Sequence, residues 1–208
     1  MVQRHLRRRG VNDERVLRAM ATVAREQFVP HELAEFAYGD HALPIAEGQT
    51  ISQPFIVAAM TDALEPKPGD RVLEVGTGSG YGAAVLGQVA DEVWTIERLD
   101  ALASEAERRL RGLGYDNVNV VVGDGTVGHP DAAPYDAISV TAGGPNVPPA
   151  LLDQLADGGR LVIPVGAAER AQQLLRIRRR GDDFQCDNLG PVRFVPLVGE
   201  QGWSRASV

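Results

Sequence analysis

The chain has 208 residues, of which 44% are hydrophobic and 24% are charged, the proportions of an ordinary globular protein. The single cysteine, Cys186, cannot form an internal disulfide, no His or Cys cluster has zinc-ligand spacing, and the longest apolar run, Phe55–Met60, is too short to cross a bilayer. Residues 1–40 carry seven Arg against six Asp and Glu, so the net charge of −7 comes from residues 41–208, which disfavours nucleic acid as a partner. No apolar signal core follows the arginines near the N-terminus. We expect a cytoplasmic monomer without membrane or nucleic-acid partners.

Residues 1–65 have the pattern of helices and irregular turns. Asn12 or Asp13 can cap a first helix, and helical turns follow Pro30. After an irregular stretch, Ser52 is predicted to cap a further helix that has Pro54 in its first turn. The apolar positions expected to face inward are Val16, Leu17, Met20, Val23, Leu33, Phe36, Ala37, Ile56, Val57, Met60 and Leu64.

From Arg71 onward, short apolar strands alternate with amphipathic helices, which is typical of a parallel sheet with crossover helices. We predict strands at Arg71–Val75, Glu92–Ile96, Val118–Val122, Asp136–Val140 and Arg160–Pro164, and helices at Tyr81–Val89, Leu99–Gly112 and Pro148–Leu155. Gln172–Arg179 and Val192–Leu197 complete the pattern as an antiparallel pair. The sequence therefore predicts one doubly wound α/β domain over residues 1–208, in which residues 1–65 form a helical cap on a core of residues 66–208.

The strongest local pattern runs from Arg71 to Tyr81, where an apolar strand is followed by glycine at every second position and then by a helix. Gly76, Gly78 and Gly80 let a ligand approach the backbone, and the first N–H groups of the helix favour an anionic group. The dinucleotide fingerprint G-x-G-x-x-G fails from Gly76, because its third glycine would be Tyr81, and from Gly78 it starts too far from the strand. The loop predicts a ligand site and disfavours NAD.

Two acidic residues follow consecutive predicted strands and sharpen this prediction. Glu97 ends the second strand, where a carboxylate can accept hydrogen bonds from both hydroxyls of a ribose. The E-x-G-x-G-x-G form that starts at Glu74 resembles motif I of S-adenosylmethionine-dependent methyltransferases. Asp124, after the third strand, resembles the methyltransferase residue that accepts a hydrogen bond from the adenine amino group. Either acid alone is equally well explained as a solvated loop residue, but the pair favours a nucleoside site.

The segment from Leu43 to Pro54, LPIAEGQTISQP, closely resembles the signature of the protein-L-isoaspartate O-methyltransferase family. The resemblance covers nearly the whole chain, with departures at Ala46, where the family often has glycine, and at Gly143 and Gly144, where an alanine-rich turn is common. Its further motifs are Ala37-Tyr38, Gly76–Tyr81, Gly123–Gly125, Pro134–Ile138 and Val192–Leu197. It implies a mostly parallel, seven-stranded Rossmann-like methyltransferase sheet.

The resemblance also implies the reaction and the residues of the site. The methyl group of S-adenosyl-L-methionine passes to the α-carboxylate of an L-isoaspartyl residue in a damaged protein or peptide, and S-adenosyl-L-homocysteine is released. Ser52 is the implied catalytic residue, which either donates to the substrate carboxylate or orders the loop over the cofactor, with Thr50 and Gln53 in support. The implied cofactor-binding residues are Thr50, Ile51, Ser52, Glu74, Gly76, Gly78, Ser79, Gly80, Glu97, Asp124 and Gly125.

This chemistry fits the absence of a recognisable general base. A carboxylate with a pKa of about 4 is already ionised at pH 7, so it can attack without losing a proton. None of the histidines, His5, His31, His41 and His129, lies in a recognisable base constellation. The enzyme mainly has to align the reacting atoms and exclude water.

Three other functions remain open at this point. A carboxyl methyltransferase dedicated to an Asp of one peptide would share the same motifs, an NAD-dependent oxidoreductase would share Glu97, and a cofactor-binding regulatory protein would share the loop without activity. Val192–Leu197 is a candidate wall for a peptide groove, although a strand buried in the sheet explains its apolar pattern equally well. Replacing Phe194 would distinguish these two interpretations.

Overall fold

The computed structural model describes residues 1–168 and 170–204. A small antiparallel pair, β1 (Leu43–Pro44) and β2 (Thr50–Ile51), precedes the main sheet. The strands of the main sheet are β3 (Arg71–Val75), β4 (Glu92–Glu97), β5 (Val118–Val122), β6 (Tyr135–Val140), β7 (Leu155–Val165), β8 (Gln172–Arg180) and β9 (Asp183–Val192). Within the described residues they form seven neighbouring strands in the order β5-β4-β3-β6-β7-β8-β9.

The first five strands of that order are parallel, and β8 and β9 continue the sheet antiparallel. The chain leaves β3 for β4 on one side and returns to β6 on the other, so the predicted doubly wound fold is confirmed. In such a sheet, ligands bind beyond the carboxyl ends of the strands at the point where the strand order reverses. That point lies between the neighbouring strands β3 and β6, directly after Val75.

The helices cover both faces of the sheet. They are α1 (Glu14–Thr22), α2 (Pro54–Ala63), α3 (Tyr81–Gly87), α4 (Asp100–Gly112) and α5 (Pro149–Asp153). Successive residues of β3 point to opposite faces: Val72 packs in the cluster of the N-terminal helices and α3, whereas Leu73 packs with Leu151 of α5. None of the helices in the described part of the chain is long and apolar enough to cross a membrane.

A buried arginine fixes the carboxyl end of α2 to this sheet. Arg160 on β7 donates to the carbonyl oxygens of Leu64 (2.6 Å), Glu65 (2.7 Å) and Asp136 (3.0 Å), and its ion pair with Asp70 measures 2.6 Å. Both side chains of the pair are less than a tenth exposed. The guanidinium thus satisfies carbonyl groups that the end of a helix leaves without partners.

The second strand of the predicted antiparallel pair lies elsewhere. A turn at Gly181, whose φ is +60°, sends the chain directly back, and β9 begins at Asp183. The predicted strand Val192–Leu197 is therefore wrong except at Val192. This edge strand was missed because it is largely exposed on both faces, so it has neither an apolar run nor alternating hydrophobicity.

The predicted cap of α2 is also wrong. Gln53, not Ser52, precedes the helix, and it makes no side-chain capping bond. The free N–H of Phe55 instead donates to Oδ1 of Asp40 at 3.2 Å, so a residue distant in sequence supplies the acceptor. At α1 the prediction holds, because the Asp13 carboxylate accepts from the N–H of Arg15 at 2.7 Å.

Candidate active site

The glycine-rich loop after β3 has a conformation that requires its glycines. Gly76, Gly78 and Gly80 have φ values of +99°, +52° and +89°, a region that disfavours side chains. A Cβ on Gly76 would also lie 2.3 Å from Oγ1 of Thr141. That hydroxyl donates to the carbonyl oxygens of Val75 (3.0 Å) and Gly76 (2.8 Å), so the residue that follows β6 pins the loop that follows β3.

A narrow cavity of about 80 Å³ lies against this loop, and we call it the glycine-loop slot. Gly76, Gly78 and Glu97 line it together with Gly125, which follows β5, and the segment Val195–Val198. The predicted residues Thr50, Gly76, Gly78, Glu97 and Gly125 therefore meet in one cavity. The slot lies beyond the carboxyl ends of β3, β4 and β5, as expected for a ligand site in this type of sheet.

Glu97 holds two backbone segments together at the slot. Its carboxylate accepts from the N–H of Gly78 and from the N–H of Leu99, both at 3.0 Å, and the residue is 7% exposed. Each oxygen takes one of these bonds, so lone pairs remain on both oxygens. A carboxylate in this state can accept from two neighbouring hydroxyl groups.

Asp124 lies beside the slot but is bonded to other parts of the chain. Oδ1 accepts from the N–H (2.8 Å) and hydroxyl (2.7 Å) of Thr126, and Oδ2 accepts from the N–H of Glu200 at 2.7 Å. Burial raises the pKa of Asp124, but these hydrogen bonds outweigh it and hold the pKa below its ordinary value. The carboxylate fastens the loop around Gly199 to the end of β5, and an adenine contact stays a prediction.

Glu74 lies beneath the loop and does not line the slot. The residue is 1% exposed, and its Oε2 accepts from the hydroxyl of Thr95 at 2.6 Å. The Thr95 hydroxyl in turn lies 2.7 Å from that of Thr77 in the loop. Burial, together with the negative charge of Glu97, raises the pKa of Glu74 to about 8, although the Thr95 hydrogen bond lowers it.

The other predicted cofactor residues lie away from the slot. Ile51 is buried among the apolar residues of the cap. Ser79 faces a separate cavity of about 300 Å³, and its carbonyl oxygen accepts from Arg109 at 2.8 Å. Gly80 lets the loop pass close to Leu110, since a Cβ there would lie 3.3 Å from that side chain. The structure thus divides these residues and those of the slot into three groups: residues that line the slot, residues that support its loop, and Ile51 in the core of the cap.

A second, larger cavity of about 990 Å³ runs between α2, the N-terminal residues Arg9–Val11 and the segment Leu189–Val195, and we call it the cap groove. Ser52 and Gln53 line it. Thr50, Thr141 and Val195 line both the groove and the slot, so the two cavities meet at these residues. The hydroxyls of Thr50 and Ser52 make no hydrogen bond within residues 1–168 and 170–204. A group bound in the groove can therefore reach a group bound in the slot.

The outer wall of both cavities is held by a buried glutamine that sequence reasoning missed. Gln172 accepts from the N–H of Phe194 (2.8 Å) and donates to its carbonyl oxygen (3.2 Å). The N–H of Gly143 donates to the carbonyl oxygen of Val195 at 2.8 Å. A Cβ on Gly143 would lie 2.8 Å from Nε2 of Gln172, which explains the glycine at this departure from the family pattern.

Thr141 is the other functional residue that was missed, and the sequence contained a signal for it. It directly follows the strand Tyr135–Val140, whose carboxyl end lies at the same edge as the glycine loop. The rule that ligands bind at strand carboxyl ends points to this position. Of the segment Val192–Leu197, Val192–Val195 line the groove and Val195–Leu197 line the slot, and only Val192 belongs to a strand. Its role as the wall of a peptide groove stays a prediction.

Comparisons with known proteins agree with this geometry. The family model of "Protein-L-isoaspartate(D-aspartate) O-methyltransferase (PCMT)" matches residues 1–202. A protein-L-isoaspartate O-methyltransferase 2 from Pelobacter propionicus is 58% identical over 98% of this chain and 91% of its own, and the Protochlamydia amoebophila enzyme is 54% identical over 100% and 99%.

Two solved structures are similar to the whole fold. One protein-L-isoaspartate O-methyltransferase superposes with a TM-score of 0.85 at 31% identity, over 94% of this chain, which spans only 64% of that longer chain. A Plasmodium falciparum protein described as a beta-aspartate methyltransferase, in complex with S-adenosyl-L-homocysteine, has a TM-score of 0.77 at 28% identity, over 92% of this chain and 94% of its own.

Proposed function

The chain belongs to the protein-L-isoaspartate(D-aspartate) O-methyltransferase family, and we propose that it methylates the α-carboxylate of L-isoaspartyl residues in damaged proteins and peptides. Such residues arise when Asn or Asp rearranges through a succinimide. The methyl ester recyclises without the enzyme, and hydrolysis of the succinimide returns some normal aspartate. The cofactor is S-adenosyl-L-methionine, and S-adenosyl-L-homocysteine is the product.

The donor set of the slot fits this cofactor. Glu97 retains lone pairs on both oxygens for the two ribose hydroxyls, and Gly76 and Gly78 carry no side chain that would keep the methionine portion from the loop. When bound, the cofactor supplies a methyl group on a positively charged sulfur. The slot volume of about 80 Å³ is below the range of about 300–1,000 Å³ that is typical of small-molecule sites, so we infer that the slot holds only part of the cofactor and that the rest extends past its rim.

The observation that carries the proposal is the meeting of the two cavities at Thr50, Thr141 and Val195. A carboxylate held in the groove at this point faces the slot, and Ser52 has a hydroxyl that is free to donate to it. No proton has to move, because the attacking carboxylate is already ionised. Holding the reacting atoms in line can supply about 7–11 kcal/mol of the barrier.

The test is methyl transfer to two peptides that differ only in an isoaspartyl or an aspartyl linkage. We expect transfer to the isoaspartyl peptide alone. Transfer to the aspartyl peptide would instead favour an enzyme dedicated to an ordinary Asp, and transfer to neither, with tight binding of S-adenosyl-L-homocysteine, would favour a regulatory protein. Calorimetry with NADH should show no binding, since the loop lacks the dinucleotide fingerprint.

We further propose that the enzyme acts as a cytoplasmic monomer of one domain, without nucleic-acid or membrane partners. The acidic body supports the absence of a nucleic-acid surface. The groove lies between residues of the cap and residues of the sheet, so both parts of the chain contribute to one site. Light scattering at micromolar concentration would test the monomer.

A further inference from the structure

We propose that Asp40 is a positioning residue for the methyl-transfer reaction, because it caps α2 in place of Ser52 and so leaves the Ser52 hydroxyl to the substrate. The inference rests on the proposed function, in which Ser52 faces the substrate carboxylate. Asp40 lies in the loop before β1, outside both cavities. Its effect on the reaction must therefore act through other residues.

The start of α2 makes one acceptor necessary. Pro54 has no N–H, and the N–H groups of Ile56 and Val57 donate to the carbonyl oxygen of Gln53 at 3.0 and 3.2 Å. The N–H of Phe55 is then left for a side chain. A serine three residues before a helical N–H is a common acceptor at this place, so Ser52 is the local candidate.

In the structure, Asp40 and not Ser52 accepts the hydrogen bond from the N–H of Phe55. Its Oδ1 accepts from the N–H of Phe55 at 3.2 Å, and its Oδ2 accepts from Nε2 of Gln53 at 2.8 Å, while its carbonyl oxygen accepts from the same Nε2 at 3.0 Å. Arg9 pairs with Oδ2 at 2.7 Å and lies 3.4 Å above the ring of Phe55. Three hydrogen bonds thus hold Asp40 against the residues on both sides of Pro54, and the ion pair with Arg9 adds a fourth contact.

The consequence is a competition for one hydroxyl. With Asp40 in place, the Ser52 hydroxyl makes no hydrogen bond within the described residues and faces the cap groove. Without the Asp40 carboxylate, the Phe55 N–H has no partner, and the Ser52 hydroxyl and the amide oxygen of Gln53 are the local acceptors that can replace it; we infer that Ser52 does so. The hydroxyl would then turn toward the helix and away from the substrate.

A double-mutant cycle tests this competition. The enzymes are wild type, D40A, S52A and the double variant, with D40N as the conservative change that keeps an oxygen acceptor. We expect D40A to lower kcat/KM for the isoaspartyl peptide by up to about 10²-fold, as a misplaced group does. The double variant should be no slower than S52A, D40N should recover most of the activity, and the Kd for S-adenosyl-L-homocysteine should stay unchanged in all of them.

Losses that multiply in the double variant, or a D40N enzyme as slow as D40A, would overturn the inference. D157A is the matched control, since it removes a carboxylate that accepts from the N–H of Gly181 at 2.7 Å outside both cavities, and it should keep full activity. A wild-type enzyme that fails to methylate the peptide would overturn the proposed function itself.

Amide hydrogen exchange gives a readout that does not depend on activity or on the folding of D40A. In S52A, which keeps Asp40, the Phe55 amide should exchange as slowly as in the wild type. Faster exchange in S52A would mean that Ser52 caps the helix in solution, and the inference would be wrong.

Discussion

The glycine-loop slot and the cap groove differ in how their polar groups are bonded. In the slot, the Thr141 hydroxyl donates to two carbonyl oxygens and the Glu97 carboxylate accepts from two backbone N–H groups. In the groove, Arg9, Gln53 and Arg176 are bonded to other side chains, but the hydroxyl of Ser52 and the cations of Lys67 and Arg193 form no bond or ion pair within the described residues. A site for one invariant ligand can be built rigidly in advance, whereas a site for many peptide sequences needs polar groups that are free to adapt.

The strongest way to break the slot alone is G76A. The substitution places a side chain at a φ of +99° and in contact with Thr141. We expect a cost of about 3 kcal/mol, the upper end of the range for one strained residue. If binding requires the native conformation of the loop, this strain should raise the Kd for S-adenosyl-L-homocysteine by about 10²-fold. Calorimetry measures this loss. G112A is the control, because no atom lies within 4 Å of the added Cβ, and unchanged binding in G76A would show that the loop is not rigid.

The complementary change, S52A, should affect the groove alone. A hydrogen bond to a charged group is worth about 1.5–3 kcal/mol, so the lost donor should reduce kcat/KM for the isoaspartyl peptide by about 10- to 10²-fold. Steady-state kinetics and calorimetry check the two sites separately. A weaker affinity for S-adenosyl-L-homocysteine in S52A would mean that Ser52 orders the cofactor loop instead.

The buried acid beneath the slot predicts a pH dependence of stability. The pKa of Glu74 rises from 4.5 in its ordinary state to about 8 in the folded protein, chiefly because of burial. Between these values the unfolded chain has released the proton that the folded chain keeps, so Glu74 lowers stability as pH rises from about 4.5 to 8. The advantage of E74Q in Tm should therefore widen from pH 5 to pH 8. A constant difference would place an ionised Glu74 in the folded state.

The smallest expected effect is a change in KM on replacing Arg193 in the groove. Arg193 is exposed at the groove wall, and an exposed ion pair is worth about 0.2–1 kcal/mol. R193Q should therefore raise KM for a peptide with an acidic flank by at most about 5-fold at low salt, with kcat unchanged. The effect should vanish at high salt because exposed charges are screened. An effect that persists in salt would indicate a fixed contact like those of the slot.

The same contrast explains how much the sequence could predict. The strands of the parallel sheet have continuous apolar runs, so β3 to β6 were located to within a residue or two. The exposed edge strand Asp183–Val192 has no such pattern, and it was missed. Glu97 and the glycine loop were readable because each lies at the end of a predicted strand, at the edge of the sheet where ligands bind.

Contacts between distant segments were not readable in this way. The helix cap depends on Asp40 reaching Phe55, and the groove wall depends on Gln172 reaching Phe194. Both pairings require the folded arrangement of separate segments, which spacing alone does not give. Thr141 is an intermediate case. The sequence predicted that it follows a strand, but it did not predict that this strand pairs with β3.

The buried side chain of Gln172 ties the evolution of two separate positions together. It is bonded at both ends to Phe194, so it cannot swing aside to admit a methyl group on Gly143 without losing those bonds. A descendant that acquires alanine at position 143 must therefore shorten the residue at position 172, or accept a loosened wall over its cofactor. Positions 143 and 172 should therefore change together during evolution. A double substitution at both positions should preserve the packing of the wall, which a single substitution at either position disrupts.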